Sequence, residues 1–281
     1  VAYEKNLYDQ PDGDRKLHKR YVSNLGGVAL FLALITGITL ASPTDQFQTV
    51  LLIFGSLTML FFTGLKDDLI GLSAKTKLVI QLVTAALPIV YVHHVISEFG
   101  GVFGIEHVPY AVAVIVSFGT FILVTNSLNL IDGMDGLCGG ISLIASIFFA
   151  IGFYAADENT FGLMATIMAF TLFGYLFHNF HPAKIFMGDS GSLVIGFMLS
   201  MFVIKFVMLD GVTGPLSDWF DGTSAILPLS FIALPLYDTL RVFIRRILNG
   251  HSPFEPDADH IHHVLLKNGL GQRRAAVFLY L

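Results

Sequence analysis

The chain has 281 residues, of which 54% are hydrophobic and only 13% are charged. Soluble domains carry about 25% charged residues, so this composition excludes an ordinary soluble protein and indicates an integral membrane protein. The formal net charge of -5 offers no basic surface for nucleic acid, and the single cysteine, Cys138, excludes an internal disulfide.

Apolar runs of spanning length follow one another along the chain. A helix needs about 20 apolar residues, within a range of roughly 17 to 25, to cross the hydrocarbon core of a bilayer. The runs predict eight whole spans near 25–42, 49–65, 78–96, 110–125, 137–156, 161–178, 191–209 and 223–240, and the start of a ninth near 275. The predicted fold is therefore an all-α polytopic membrane helix bundle, with residues 1–281 forming one integral-membrane domain.

The basic residues indicate how these spans are oriented. With this span count, the N-terminal segment and the loops near 66–77, 126–136, 179–190 and 241–274 share one side of the membrane. All of the 16 Lys and Arg residues except Lys205 fall on that side. Because positive residues mark the cytoplasmic side of a membrane protein, we expect these loops to face the cytoplasm.

Five carboxylates stand at the predicted cytoplasmic ends of spans. They occur in "GLKDDLIGLSAKTK", "NSLNLIDGMDGL" and "IFMGDSGSL", and they are Asp67, Asp68, Asp132, Asp135 and Asp189. A helix cap worth about 1 kcal/mol could explain any one of them. Capping does not explain why all five lie beside glycines on one face of the membrane. A charged side chain at bilayer depth costs about 2.5–3.5 kcal/mol or more, and such residues are commonly functional.

Carboxylates that lie close together need a cation between them. Mg²⁺ takes oxygen ligands and typically uses one or two carboxylates together with substrate phosphates. Glycines in the same motifs let the backbone approach a bulky anion, and helix N-termini after "DGMDG" and "GDSG" would direct N–H groups at phosphate oxygens. Lys75, Lys77 and Lys184 add positive charge that would attract phosphate. Together these features predict a metal–phosphate pocket at the cytoplasmic surface.

The last predicted cytoplasmic loop contains "RVFIRRILNGHSPFEPDADHIHHVLLKNG". On a helix, His260 and His263 would share a face. A zinc site would need further ligands of suitable geometry, and no cysteine is available here. We therefore favour contact of these histidines with phosphate or sugar over a zinc site or a solvated loop.

Taken in order, the motifs resemble those of the polyprenyl-phosphate N-acetylhexosamine-1-phosphate transferases, glycosyltransferase family 4. The similarity runs from about residue 9 to residue 275 and includes "DQPDGDRKLHKRYVSNLGG", "NFHPAKIFMGDSGSL" and "SPFEPDADHIHH". A single motif is a weak match, whereas five in register are specific. "HIHH" resembles the branch that uses UDP-N-acetylglucosamine. Two departures are "KRYVSN", where the family commonly has prolines, and Ala258, where it often has a basic residue.

The resemblance implies a phosphotransferase at the cytoplasmic face of the plasma membrane. A UDP-N-acetylhexosamine, with UDP-N-acetylglucosamine preferred, gives its sugar 1-phosphate to undecaprenyl or another polyprenyl phosphate and releases UMP. This is the first membrane step of cell-envelope polysaccharides such as lipopolysaccharide or teichoic acid. The resemblance also implies Mg²⁺, with Mn²⁺ as the alternative, and about ten or eleven native spans; homodimerisation stays open.

Two alternatives to this reaction are retained. The first is the same transfer from another sugar nucleotide, such as UDP-MurNAc-pentapeptide. The second is an intramembrane aspartyl protease, because "PLYD" with Asp238 and "MGD" with Asp189 superficially match its paired motifs. The two motifs stand in the wrong order for that class, and Phe186 occupies the position of its first glycine.

The resemblance also suggests roles for individual residues. The catalytic set is the five aspartates, among which Asp67, Asp68 and Asp189 are the candidate metal ligands. The candidate substrate-binding residues are Lys75, Lys77, Asn126, Asn129, Asn179, Lys184, Arg241, His260, His262 and His263. The second pKa of a phosphomonoester is about 6, so the attacking lipid phosphate is mostly a dianion near neutral pH. We therefore expect the aspartates to act through metal binding and alignment, while a general-base or nucleophilic role stays open.

Overall fold

The structure is a computed structural model, and it describes residues 8–9, 22–41, 46–99, 101–209, 226–250 and 260–280. The predicted motif segments at 10–21 and 251–259, which include Ala258, lie outside the described residues. The helices are α1 (Gly26–Ala41), α2 (Phe47–Ile70), α3 (Ala74–Ala86), α4 (Tyr110–Ile131), α5 (Leu137–Ala155), α6 (Asn159–Asn179), α7 (Gly188–Val207), α8 (Leu227–Ser230), α9 (Ala233–Leu248), α10 (Ile261–Lys267) and α11 (Gln272–Leu279). A π-helical turn, Leu87–Tyr91, continues α3, and Val102–Gly104 forms a short 3₁₀ turn. Strands β1 (Tyr8–Asp9) and β2 (Val22–Ser23) pair antiparallel, with Tyr8 opposite Ser23.

Six of the described helices are long and apolar enough to cross a membrane. They are α2, α3 with its π-helical turn, α4, α5, α6 and α7, while α1 is apolar but has only 16 residues. The predicted all-α membrane bundle is thus confirmed. Two of these helices continue further into the motifs than predicted. Helix α2 runs to Ile70, and α4 runs to Ile131, so Asn126 and Asn129 lie inside a helix where a loop was expected.

The predicted span at 223–240 is not one continuous helix. Its first residues, up to 225, lie outside the described part of the chain. From there the backbone forms α8, breaks at Phe231 and Ile232, and continues as α9 to Leu248. The break precedes Pro235, which has no N–H to donate and whose ring clashes with the carbonyl four residues earlier. The helix therefore restarts with Pro235 in its first turn, where a backbone N–H would have no acceptor within the helix.

The central helix of the bundle is α7. Its residues from Ser190 to Ile204 are all buried, and α1, α2, α4 and α5 pack around it. Gly64 of α2 permits a close approach to α7, because a Cβ at this position would lie 2.4 Å from the main-chain carbonyl of Asp189. Asp67 and Asp68 follow Gly64 by three and four residues, so they lie on the same face of α2. This packing brings two sequence motifs together.

The opposite end of the bundle holds Lys205, the exception in the distribution of basic residues. Its Nζ lies 2.5 Å from Oε1 of Glu158 and 5.5 Å from the ring centroid of Phe161. The same phenylalanine packs edge-on against buried His94. Burial, with a smaller effect of the Lys205 charge, lowers the pKa of His94 to about 4. The ion pair compensates the charge of Lys205 at the end of the bundle opposite the described motifs.

Candidate active site

Two carboxylates from distant motifs meet around one ammonium group. Nζ of Lys77 lies 2.7 Å from Oδ2 of Asp67 and 2.8 Å from Oδ2 of Asp189. The other oxygen of Asp67 accepts the N–H of Leu72, and the other oxygen of Asp189 accepts Nδ2 of Asn129 at 3.0 Å. The C-terminal ends of α2 and α4 and the N-terminal ends of α3 and α7 therefore converge on one position suited to a cation.

Asp68 has a different set of partners from its neighbour. Its two oxygens accept the N–H groups of Asp189 at 2.8 Å and Ser190 at 3.0 Å, which are the first free donors of α7. Gly188 enters this turn with φ of 66°, and a Cβ there would lie 2.7 Å from Oδ2 of Asp68. We expected the helix N-terminus at "GDSG" to direct N–H groups at substrate phosphate; in the structure the N–H groups of Asp189 and Ser190 donate to Asp68. Asp68 occupies them, because an anion at a helix N-terminus is favoured by both capping and the helix dipole.

The two aspartates of "DGMDG", Asp132 and Asp135, also differ in their surroundings. Asp132 follows the last residue of α4, is half-buried, and accepts no hydrogen bond from the described residues. Burial, with the charges of Asp189, Asp68 and Asp135, raises the pKa of Asp132 well above its ordinary value. Asp135 instead accepts Nδ1 of His181 at 2.8 Å and the N–H of Ala183 at 3.0 Å. Asp135 thus holds the segment that follows α6.

The three predicted asparagines mainly connect helices and loops. Asn126 pairs with Gln81 of α3, its Nδ2 lying 2.8 Å from Oε1 of Gln81. Asn129 donates to Oγ of Ser192 at 2.9 Å, in addition to its bond with Asp189. Asn179 accepts the N–H of Gly136 at 3.0 Å and donates to the carbonyl of Ile185 at 2.9 Å. Asn179 therefore ties the "DGMDG" turn to the loop before α7.

A cavity of about 770 Å³ opens beside this centre, between α3, α4 and α9. Its polar wall is formed by Lys77, Asn126, Asn129, Asp132, Arg246, His260, His262 and His263. Its apolar wall includes Leu78, Leu82, Phe118, Ile122 and Leu123. The cavity can therefore take a ligand with a charged or hydroxylated part and a long hydrocarbon part.

The three histidines differ in their surroundings. His260 donates from Nδ1 to Asp238 at 2.8 Å. His262 is 1% exposed, and both of its ring nitrogens lack a hydrogen-bond partner within the described part of the chain. Burial, with the charges of His263 and His260, lowers the pKa of His262 to about 3, so its imidazole is neutral. A Cβ at Gly133 would lie 2.6 Å from Nε2 of His262, so a side chain at this position would require the imidazole to move.

Four of the predicted substrate-binding residues lie outside the cavity wall, and one of them is Asn179, whose contacts are given above. Lys75 and Lys184 are exposed, and Arg241 donates from Nη2 to Asp238 at 2.8 Å. Sequence reasoning missed Gln81, Ser192, Asp238 and Arg246. Asp238 and Arg246 lie on one buried face of α9, together with Pro235, Thr239 and Val242. These five residues recur at intervals of mostly three or four positions, and that helical spacing could have indicated that Asp238 and Arg246 face the protein interior.

The arrangement disfavours a protease dyad, which needs two aspartates that face each other. Asp238 binds His260, Arg241 and the N–H of Ile261, whereas Asp189 binds Lys77 and Asn129. Within the described ranges, the two carboxylates share no hydrogen-bond partner.

Asp67 and Asp189 are the side chains that could hold a metal ion at this centre. Among the described residues, no group of three or more His, Cys, Asp or Glu side chains is arranged as a metal site. Mg²⁺, however, needs only one or two protein carboxylates when substrate phosphates complete its shell. Asp67 and Asp189 already place one oxygen each around the Lys77 ammonium. The residues therefore fit a phosphate-bound Mg²⁺ rather than a preformed protein cage.

Comparison with known proteins agrees with these features. Residues 50–207 match the model of Glycosyl transferase family 4. A probable undecaprenyl-phosphate N-acetylglucosaminyl 1-phosphate transferase of Bacillus subtilis is 32% identical, over 100% of this chain and 75% of that protein. The undecaprenyl-phosphate alpha-N-acetylglucosaminyl 1-phosphate transferase of Escherichia coli is 30% identical, over 100% of this chain and 75% of its own length. A decaprenyl-phosphate N-acetylglucosaminephosphotransferase of Mycobacterium leprae is 29% identical, over 95% and 72%. On its motifs, its fold and these relatives, the chain belongs to glycosyl transferase family 4.

Proposed function

We propose that this protein transfers N-acetylglucosamine 1-phosphate from UDP-N-acetylglucosamine to a polyprenyl phosphate and releases UMP. The observation that carries the proposal is the cavity, whose polar wall includes Lys77, the cation held by Asp67 and Asp189, and whose other wall is apolar. These two walls match the pyrophosphate of a sugar nucleotide and the hydrocarbon of an isoprenoid lipid. The printed names of the relatives support the same donor sugar and acceptor class.

In this proposal, Asp67 and Asp189 hold Mg²⁺, or Mn²⁺, which neutralises charge on the substrate phosphates when it is bound. Asp68 acts on Asp189 through the backbone, because it fixes the first turn of α7. Asn129 orients the Asp189 carboxylate from the other side. Lys77 lies on the cavity wall, where its ammonium can pair with the pyrophosphate.

The transfer requires little proton chemistry from the protein. An oxygen of the lipid phosphate attacks the phosphorus that carries the sugar, the bond from that phosphorus to the UMP oxygen breaks, and UMP leaves with the electron pair. Because the attacking phosphate is mostly a dianion at neutral pH, alignment and charge neutralisation contribute more than a general base. Arg246 and the histidines are positioned along the same polar wall to hold the two reactants.

We infer that the site faces the cytoplasm, in the plasma membrane. The basic residues support this orientation, because all of them except Lys205 fall on the side of the motifs. Lys205 and its partner Glu158 lie at the opposite end of the bundle.

The direct test measures UMP release by the purified protein in detergent. We expect release from UDP-N-acetylglucosamine only when both undecaprenyl phosphate and Mg²⁺ or Mn²⁺ are added, and little release from UDP-MurNAc-pentapeptide. Asp189→Asn is expected to lose at least 100-fold in rate, since it removes charge from the carboxylate pair. Absence of UMP from every UDP-N-acetylhexosamine tested would contradict the proposal. Label from the UDP-sugar trapped on the protein without lipid would contradict the one-step transfer.

A further inference from the structure

Asp238 is a buried carboxylate that lies behind the cavity wall. It is 1% exposed, and it accepts three hydrogen bonds from residues that the structure describes. Oδ1 accepts Nη2 of Arg241 at 2.8 Å and the N–H of Ile261 at 3.0 Å, while Oδ2 accepts Nδ1 of His260 at 2.8 Å. Asp238 thereby joins α9 to the start of α10, where the cavity-lining histidines begin.

The contacts determine which nitrogen of His260 carries the proton. Burial alone would raise the pKa of Asp238, but the hydrogen bonds from His260, Arg241 and Ile261 outweigh burial and hold it below its ordinary value. Asp238 is therefore an ionised carboxylate near neutral pH, and a carboxylate can only accept hydrogen bonds. Nδ1 of His260 must donate to it. In the neutral imidazole, Nε2 on the opposite edge then carries a lone pair, and His260 lines the cavity.

We propose that Asp238 is a positioning residue that holds His260 in its Nδ1–H tautomer, so that Nε2 accepts a hydrogen bond from a hydroxyl or the amide N–H of the sugar. The identity of the ligand rests on the proposed function. A phosphate dianion offers only acceptors and cannot bind an unprotonated Nε2, whereas a sugar hydroxyl or an N-acetyl N–H is a donor. For the neutral imidazole, the pair therefore assigns His260 to the sugar rather than to a phosphate.

Asp238→Asn tests the tautomer directly, because it preserves size but leaves a single oxygen. If that oxygen stays with Arg241 and Ile261, the amide NH₂ faces His260, and both partners would be donors. His260 can relieve this only by adopting the Nε2–H tautomer, which presents a donor to the cavity. A wrong tautomer of this kind abolishes most of the activity of a serine protease whose triad aspartate is replaced by asparagine.

Steady-state kinetics supply the first readout. We expect Asp238→Asn and His260→Ala each to lower kcat/KM for the sugar nucleotide roughly 10- to 100-fold, mainly through KM. The double variant should lose no more than the worse single variant, since both changes remove one interaction. Asp157→Asn, at an exposed carboxylate at the opposite end of the bundle, is the matched control and should retain wild-type rates. Multiplicative losses in the double variant would overturn the proposal.

The second readout does not depend on turnover. Nitrogen-15 spectra of histidine-labelled protein, assigned through the His260→Ala variant, report the tautomer of His260. We expect an Nδ1–H signal in the wild type and an Nε2–H signal in Asp238→Asn; the same tautomer in both would overturn the proposal. If Asp238→Asn does not fold, Asp238→Glu, which keeps two acceptor oxygens, should retain the Nδ1–H signal, and its loss would be equally decisive. If the wild type releases no UMP, the proposed function fails, while these spectra still decide whether Asp238 positions His260.

Discussion

Replacing Lys77 with Met removes the ammonium between Asp67 and Asp189 and keeps an unbranched side chain. In the structure, Nζ lies 2.7 Å and 2.8 Å from one oxygen of each carboxylate. Without that cation the two carboxylates repel each other; two unit charges about 4 Å apart repel by about 1 kcal/mol in water and about 4 kcal/mol at an effective dielectric constant of 20. The carboxylates are 11% and 26% exposed, so the repulsion should lie between these limits. We expect metal-free Lys77→Met to melt at a lower temperature than the wild type.

Divalent metal should reverse this difference. If Asp67 and Asp189 hold a divalent ion as proposed, the ion would compete with Nζ of Lys77 for the two carboxylates in the wild type and would meet no such competitor in the variant. Mg²⁺ should therefore raise the melting temperature of Lys77→Met more than that of the wild type, although UMP release falls at least tenfold because the pyrophosphate loses a cation.

The assay is thermal unfolding in detergent across a Mg²⁺ titration, read by fluorescence and size-exclusion recovery. Lys66→Met is the matched control, since Lys66 is exposed on α2 beside Asp67, and both its melting temperature and its Mg²⁺ response should equal those of the wild type. Equal stability of metal-free Lys77→Met and wild type, or an equal Mg²⁺ response, would refute the reasoning.

Three further changes test other parts of the site. Gly64→Ala places a methyl group 2.4 Å from the carbonyl of Asp189, so UMP release should fall at least tenfold, whereas Gly55→Ala meets no atom within 4 Å and should be neutral. Gly119→Leu fills part of the cavity wall and should raise KM for the polyprenyl phosphate more than KM for the UDP-sugar; the reverse order would contradict the assignment of the apolar wall to lipid. The pKa of His262 is about 3 in the folded protein and 6.5 for an ordinary histidine. At pH values between these two, the imidazole is protonated in the unfolded state and neutral in the folded state. Stability should therefore fall as pH drops below 6.5, by about 2 kcal/mol at pH 5, and His262→Gln should flatten the dependence of melting temperature on pH.

Sequence reasoning succeeded where the signal is local. Apolar runs of spanning length predicted the membrane bundle, and the motifs identified Asp67, Asp132 and Asp189 at one end of it. The break before Pro235 was also readable, since proline disfavours helix at the preceding residues, but the apolar run around it suggested a single span. The exact ends of α2 and α4 depended on tertiary packing, which carried both helices beyond the boundary that hydropathy alone predicts.

The chemical nature of the site was determined by the sequence itself, because a membrane chain retains grouped aspartates, lysines and histidines only where they have partners or substrates. Which partner each residue takes was decided by the tertiary structure. Asp67 and Asp68 are adjacent and identical in type, yet successive residues of a helix point about 100° apart, so one meets Lys77 and the other the N-terminus of α7. Asp238 and His260 are separated by 22 positions, and only the packing of α9 beside α10 brings the carboxylate to the imidazole.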